Sequence, residues 1–279
     1  MQHPQKWPNV DINLRVYLDN FVELLKHHLK EQLVGVYLHG SLATGSYYFP
    51  KSDMDLIVVV SEKLSSEIAR ELNISIAHYS DARPTVGAIE LSVITSSVAK
   101  NIPNPIPYEV HYSLFWHDRI LNDDVQYGIP QYDTDLFTHL LYVKKRGCCL
   151  YGEPINNVFG DVKWDDFMFS VLDDLKWILA DENIIESPHY CILNICRCFQ
   201  LLSENSENIY SKDEGGEWGL RHLPETFKPL IICALSIYRS QDLVDEADRK
   251  TGGIHWNKEE LIAFRDYSRY RLHKAHLLL

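Results

Sequence analysis

His39–Val60 reads HGSLATGSYYFPKSDMDLIVVV. It closes on an apolar run, Met54–Val60, and follows another, GVYLH at residues 35–39, and both have the composition of buried strands. Between them lie Gly40-Ser41, a second glycine at 45 and Pro50, so the connection is a turn-rich loop. Asp53 and Asp55 stand two residues apart at the mouth of the second run. On a strand, that spacing sends both carboxylates to one side. Two like charges held together repel each other, and a chain gains nothing structural from the arrangement. The pair points to a bound cation.

Outward from this segment, helix and strand patterns alternate. Residues 12–30 carry apolar groups at 18, 21, 24, 25 and 29, and the spacing predicts a helix there. EKLSSEIARELN (62–73) predicts a short helix and AIELSVI (88–94) a third strand. Residues 95–132, rich in Pro, Asn and Tyr, read as loops around a short element near Val110–Trp116. A helix capped by Asp133 or Thr134 should run to about Arg146 and close on Gly147. From Trp164 the strand signals fade, and helices are expected over 164–181, 189–204, 225–240 and 257–276. This mixture predicts an α/β (α+β) N-terminal domain and a C-terminal helical bundle. The boundary is placed where Gly, Pro and Asn cluster, giving domains 1–157 and 158–279.

The 279 residues are 46% hydrophobic and 24% charged, an ordinary globular balance. No apolar run approaches the roughly 20 residues of a membrane span, and the first residues lack the regions of a signal peptide. A cytoplasmic protein without a membrane partner is expected. The net charge of −12 argues against a nucleic-acid backbone as partner and suits a small cationic ligand, although it also fits a merely soluble acidic surface. None of the six cysteines forms a C-x-x-C pair, and Cys191, Cys196 and Cys198 fall in a helical apolar pattern, as structural thiols do.

Gly40 lets backbone N–H groups approach a phosphate, and Ser41 adds a hydroxyl. Carboxylates on the next strand are hard oxygen ligands for Mg²⁺, which bridges them to substrate phosphates. Together these groups suit phosphoryl or nucleotidyl transfer. A bare D-x-D is common, and solvated aspartates in a hairpin are the plain alternative. Strand, Gly-Ser and then D-x-D on the following strand resembles the nucleotidyltransferase superfamily that includes DNA polymerase β. Glu90, a charge inside an apolar strand, is the candidate third carboxylate, as metal ligand or general base; a solvent-facing glutamate is the alternative.

With the IELSVI strand, DTDLFTHLLYVKKRGCCLYGEP and the helical tail, the chain from about Leu33 to about Tyr238 resembles aminoglycoside adenylyltransferases of the streptomycin/spectinomycin type. The resemblance implies that Ser41 and Ser52 contact ATP, that Asp53 and Asp55 hold Mg²⁺, and that Glu90 is the base. It implies that Asp135 lies near the nucleotide, that Arg197 and Lys212 face its phosphates, and that Tyr238 lies beside it. Taken singly, Arg197 could be a helix-face cation, Lys212 a loop charge and Tyr238 a core aromatic. Toward the antibiotic, Trp116 matches the family tryptophan, although Phe115 takes its place without a one-residue gap. Glu186 is a candidate for a drug amine, with an exposed loop acid as its alternative. The spacing from Trp177 through Asp181 to Asn183 leaves streptomycin use open.

The function these residues imply is transfer of AMP from MgATP to a hydroxyl of a cationic aminocyclitol, with release of pyrophosphate and antibiotic resistance as the outcome. A monomer is expected. The alternatives are a nucleotidyltransferase with a protein or other acceptor, and a non-catalytic nucleotide-binding, antitoxin-like module.

Overall fold

A computed structural model describes residues 3–180, 182–204, 207–245 and 248–275. Asp181 and His276, which the sequence placed at helix ends, lie outside them. The chain forms two compact units, Pro4–Phe167 and the residues from Met168 onward. The break falls inside a helix, ten residues beyond the Gly- and Asn-rich segment chosen from sequence.

The first unit is built on strands β1 (Leu33–Leu38), β2 (Met54–Val60), β3 (Ile89–Thr95), β4 (Pro107–Tyr108), β5 (Val110–Tyr112), β6 (Gln131–Tyr132) and β7 (Cys148–Gly152). Five of them form one sheet in the order β5-β3-β2-β1-β7. β2 and β3 run parallel, and the other neighbours are antiparallel. Its helices are α1 (Ile12–Leu29), α2 (Gly40–Thr44), α3 (Ser66–Asp81), α4 (Ser96–Lys100), α5 (His117–Leu121), α6 (Leu136–Arg146) and α7 (Ile155–Val158).

Strand alternation divides the apolar residues between two cores. Val36, Leu38, Leu56, Val58, Leu91 and Val93 pack with α1 and α3 on one face. Tyr37, Ile57, Val59 and Ile94 pack with Leu136, Phe137, Leu140 and Val143 of α6 on the other. Because both faces are covered, the run MDLIVVV is continuously apolar rather than alternating. The second face has a polar end. Asp55, Glu90, Ser92 and His111 share it with the apolar residues, and they lie toward the starts of β2 and β3.

The second unit is helical: α8 (Trp164–Leu179, most of it), α9 (Asn183–Glu186), α10 (Pro188–Ser203), α11 (Lys212–His222), α12 (Lys228–Arg239) and α13 (Lys258–Lys274). Cys191, Cys196 and Cys198 are buried in its core, where burial pushes the thiols of Cys191 and Cys198 up to about 12.

Several elements differ from their sequence expectation. The helix expected over 62–73 starts later and runs longer, because the Ser65 hydroxyl accepts the Ile68 N–H and sets the cap. Gly147 follows α6 in extended rather than left-handed conformation; it is small because a Cβ would lie 2.5 Å from the Val143 carbonyl oxygen. β7 and α11 carried no expectation. β7 is short and half exposed, with two cysteines where β-branched residues would have signalled a strand. α11 holds three glycines, poor helix formers, yet Ser211 and Glu214 make a reciprocal capping box at its start.

Candidate active site

The parallel register places Asp55 directly opposite Glu90, with Leu56 opposite Leu91. Ile89 and Leu91 turn into the α1/α3 core, so Glu90 turns the other way, onto the face that carries Asp55. Asp53 sits one residue before β2. Its Oδ1 accepts the Ala88 N–H at 2.9 Å, while Met54 N–H donates to the Ala88 carbonyl at 2.8 Å. The start of β3 therefore aims the Asp53 carboxyl.

The loop from β1 comes down onto the same carboxylates. His39 N–H donates to the Asp55 carbonyl at 2.9 Å, and Gly40 follows with φ +62°. A Cβ on Gly40 would stand 1.7 Å from Asp55 Oδ2. Only glycine allows this approach, which presses backbone against carboxylate with no side chain between. Ser41 lies in the first turn of α2, and its carbonyl accepts the N–H groups of Gly45 and Ser46. Arg146 of α6 donates to the Thr44 carbonyl at 2.7 Å, fastening the far end of the loop. Ser52 accepts the Tyr48 N–H at 3.1 Å and closes the turn before Asp53. Asp135 is the exposed residue before α6, with its N–H on Asp133 Oδ1 at 2.8 Å.

Three histidines complete this region, and sequence reasoning passed over all of them. The His39 ring meets the His139 ring of α6 at 4.8 Å between centroids. Burial, and after it the neighbouring His139, holds His39 well below the ordinary histidine range, so it is neutral at pH 7. His111 lies opposite Ser92, with its Nδ1 3.0 Å from the Ser92 hydroxyl, and burial lowers it too. Strand parity was the available signal: His39 follows Tyr37 by two, and Ser92 follows Glu90 by two.

In the helical unit, Arg197, Lys212 and Tyr238 come together although they are far apart in the chain. Lys212 is the first residue of α11, and its ammonium lies 5.2 Å from the ring centroid of Tyr190 and 5.8 Å from that of Tyr238. A Cβ on Gly215 would fall 2.6 Å from Arg197 Cα, so α10 and α11 touch backbone to backbone beside Arg197. Arg239, next to Tyr238, pairs with Asp213 and Glu217, each at 2.6 Å, and ties the end of α12 to the start of α11. Asp174 of α8 belongs to the same cluster: burial raises its carboxyl, and the charges of Arg197 and Lys212 act in the opposite sense.

The residues expected to face an antibiotic lie in both units. Trp116 packs against the α1/α3 core, and the Arg119 guanidinium covers its ring at 4.4 Å. Phe115 beside it is 80% exposed. Glu186 ends the four-residue α9 and is exposed.

Among the described residues, no group of three or more His, Cys, Asp or Glu is arranged to hold a metal by itself. The residues still fit Mg²⁺, which takes one or two carboxylates and completes its shell with water and substrate phosphate. The close approach of Gly40 to Asp55 leaves such a shell next to bare backbone rather than a side chain.

The family profile described as "Aminoglycoside adenylyltransferase, C-terminal domain" matches residues 157–268. A spectinomycin 9-adenylyltransferase of Staphylococcus aureus is 26% identical over 246 residues, covering 87% of this chain and 90% of its own. Its counterpart from Enterococcus faecalis is 25% identical over 272 residues, 93% of this chain and 99% of its own. An aminoglycoside (3'') (9) adenylyltransferase of Escherichia coli is 25% identical over 250 residues, 88% and 93% of the two chains. Among solved structures, a spectinomycin adenyltransferase from Enterococcus faecalis, crystallised with ATP and spectinomycin, superposes with a TM-score of 0.76. It is 23% identical and covers 94% of this chain and 100% of its own, a likeness of fold.

Proposed function

We propose that the chain is a nucleotidyltransferase of the aminoglycoside adenylyltransferase family and that it transfers AMP from MgATP to a hydroxyl of spectinomycin. The observation that carries this reading is the pairing of Asp55 with Glu90 across β2 and β3, with Gly40 backbone pressed against Asp55.

Asp53 and Asp55 would hold Mg²⁺, which when bound neutralises charge on the phosphates. We assign Glu90 to the base rather than to the metal, because two carboxylates and phosphate oxygens suffice for the ion. Glu90 takes the proton of the acceptor hydroxyl, and that oxygen forms a bond to the α-phosphorus as the bond to pyrophosphate breaks. Gly40, Ser41 and Ser52 orient the nucleotide, with Asp135 near it. Arg197 and Lys212 are the phosphate cations of the helical unit, and Tyr238 flanks the nucleotide. The acidic chain favours a cationic acceptor. Adenylylation adds bulk and negative charge to the drug, and resistance follows if its target no longer accepts it. Streptomycin is the second acceptor to test.

Asp53→Asn should abolish ATP-dependent modification of spectinomycin while the circular dichroism spectrum stays unchanged. Glu90→Gln should slow turnover at least about a hundredfold, the scale on which a general base acts, with ATP binding little altered. An unchanged rate in Glu90→Gln would remove it from the reaction.

A further inference from the structure

Asp174 is a carboxylic acid set among helices that carry the phosphate cations. It lies on α8 and is half-buried. Tyr190 of α10 donates its hydroxyl to Asp174 Oδ1 at 3.4 Å. The same Tyr190 ring faces the Lys212 ammonium at 5.2 Å, so one tyrosine touches both the acid and the cation. Arg197, two helical turns further along α10, also lies within electrostatic reach of the Asp174 carboxyl.

We propose that Asp174 is a positioning residue for the triphosphate: it holds Arg197 and Lys212 in their phosphate-facing arrangement before ATP arrives. The inference rests on the assignment of those two cations to ATP. Long basic side chains lose rotamer freedom when they bind, and an internal counter-ion removes part of that cost beforehand. Two neighbouring cations also repel each other, and an acid beside them relieves part of that repulsion. An opposing effect has to be weighed, because a carboxylate near phosphates repels them. The three side chains together keep a net positive charge, so attraction for phosphate survives. Positioning therefore outweighs repulsion.

Asp174→Asn keeps the shape and an oxygen for Tyr190 while removing the charge. Binding should be followed by calorimetry with ATP, inorganic tripolyphosphate and adenosine. Asp174→Asn should weaken ATP and tripolyphosphate about tenfold, the scale of one charge-assisted hydrogen bond, and leave adenosine unchanged. KM for ATP should rise by the same factor, with kcat within about twofold. Tyr190→Phe, which frees the carboxyl but keeps the ring over Lys212, should move the same quantities in the same direction by about threefold. It carries the test if Asp174→Asn fails to fold. Unchanged or tighter tripolyphosphate binding in the variants would overturn the proposal, as would an equal loss of adenosine. Wild-type protein that binds neither ATP nor tripolyphosphate would overturn the nucleotide assignment itself, whereas normal wild-type binding with unaffected variants would overturn the role of Asp174 alone.

Discussion

A methyl group at position 40 would collide with the Asp55 carboxylate and sit on a residue with φ +62°. Gly40→Ala should therefore cost about 1–2 kcal/mol of stability from the left-handed backbone, measurable by urea unfolding. Activity should fall further than stability, by at least about a hundredfold, because the added carbon displaces the carboxylate that would hold the metal. A variant with near-normal turnover would contradict the close approach. At this scale the sequence was informative where a residue type conflicts with its surroundings. Asp53, Asp55 and Glu90 are charges beside apolar strands, and the register brings Asp55 and Glu90 together. His39 conflicts with nothing around it. A single histidine at a strand end has many uses, and its contact with His139 depends on how α6 lies on the sheet. Trp116 is placed by its own neighbours: its ring packs on the α1/α3 core and lies under the Arg119 guanidinium.

Among the elements, α11 holds the sharpest departure. Three glycines in eleven residues argue against a helix on propensity, and the reward for them is tertiary. Gly215 lets α11 lie against α10 and Gly216 lets it lie against α12, where side chains at those positions would meet Arg197 Cα at 2.6 Å and Leu235 Cδ2 at 2.6 Å. In an exposed helix Gly→Ala stabilises by about 1 kcal/mol. Gly215→Ala should reverse that sign and destabilise by about 1–3 kcal/mol through overpacking. It should also raise KM for ATP, because Lys212 is the first residue of α11 and Arg197 faces it from α10. Denaturant midpoints and ATP titration give both numbers, and a stabilised variant would contradict the packing. Helices with regular apolar spacing, such as α1 and α10, were legible from sequence because their periodicity records burial. α11 was hidden because its burial is made by absent side chains, and only the Ser211/Glu214 capping box marked its start.

For the whole molecule, composition excluded more than it identified. The charge of −12 and the absence, among the described residues, of a helix long and apolar enough to cross a membrane leave a wide class of proteins. The order of motifs along the chain narrowed it: Gly-Ser, D-x-D and Glu90 on one sheet, then Arg197, Lys212 and Tyr238 in one helical cluster. The acceptor was the least legible part, because recognition of a small molecule depends on a few side chains that no repeated pattern marks. The central claim is adenylyl transfer to an aminocyclitol, and pyrophosphate release measures it directly. Purified protein with ATP and Mg²⁺ should be incubated with spectinomycin, streptomycin or kanamycin in separate reactions. The account predicts pyrophosphate formed in proportion to spectinomycin consumed and abolished by Asp53→Asn; no release with any of the three drugs would contradict it.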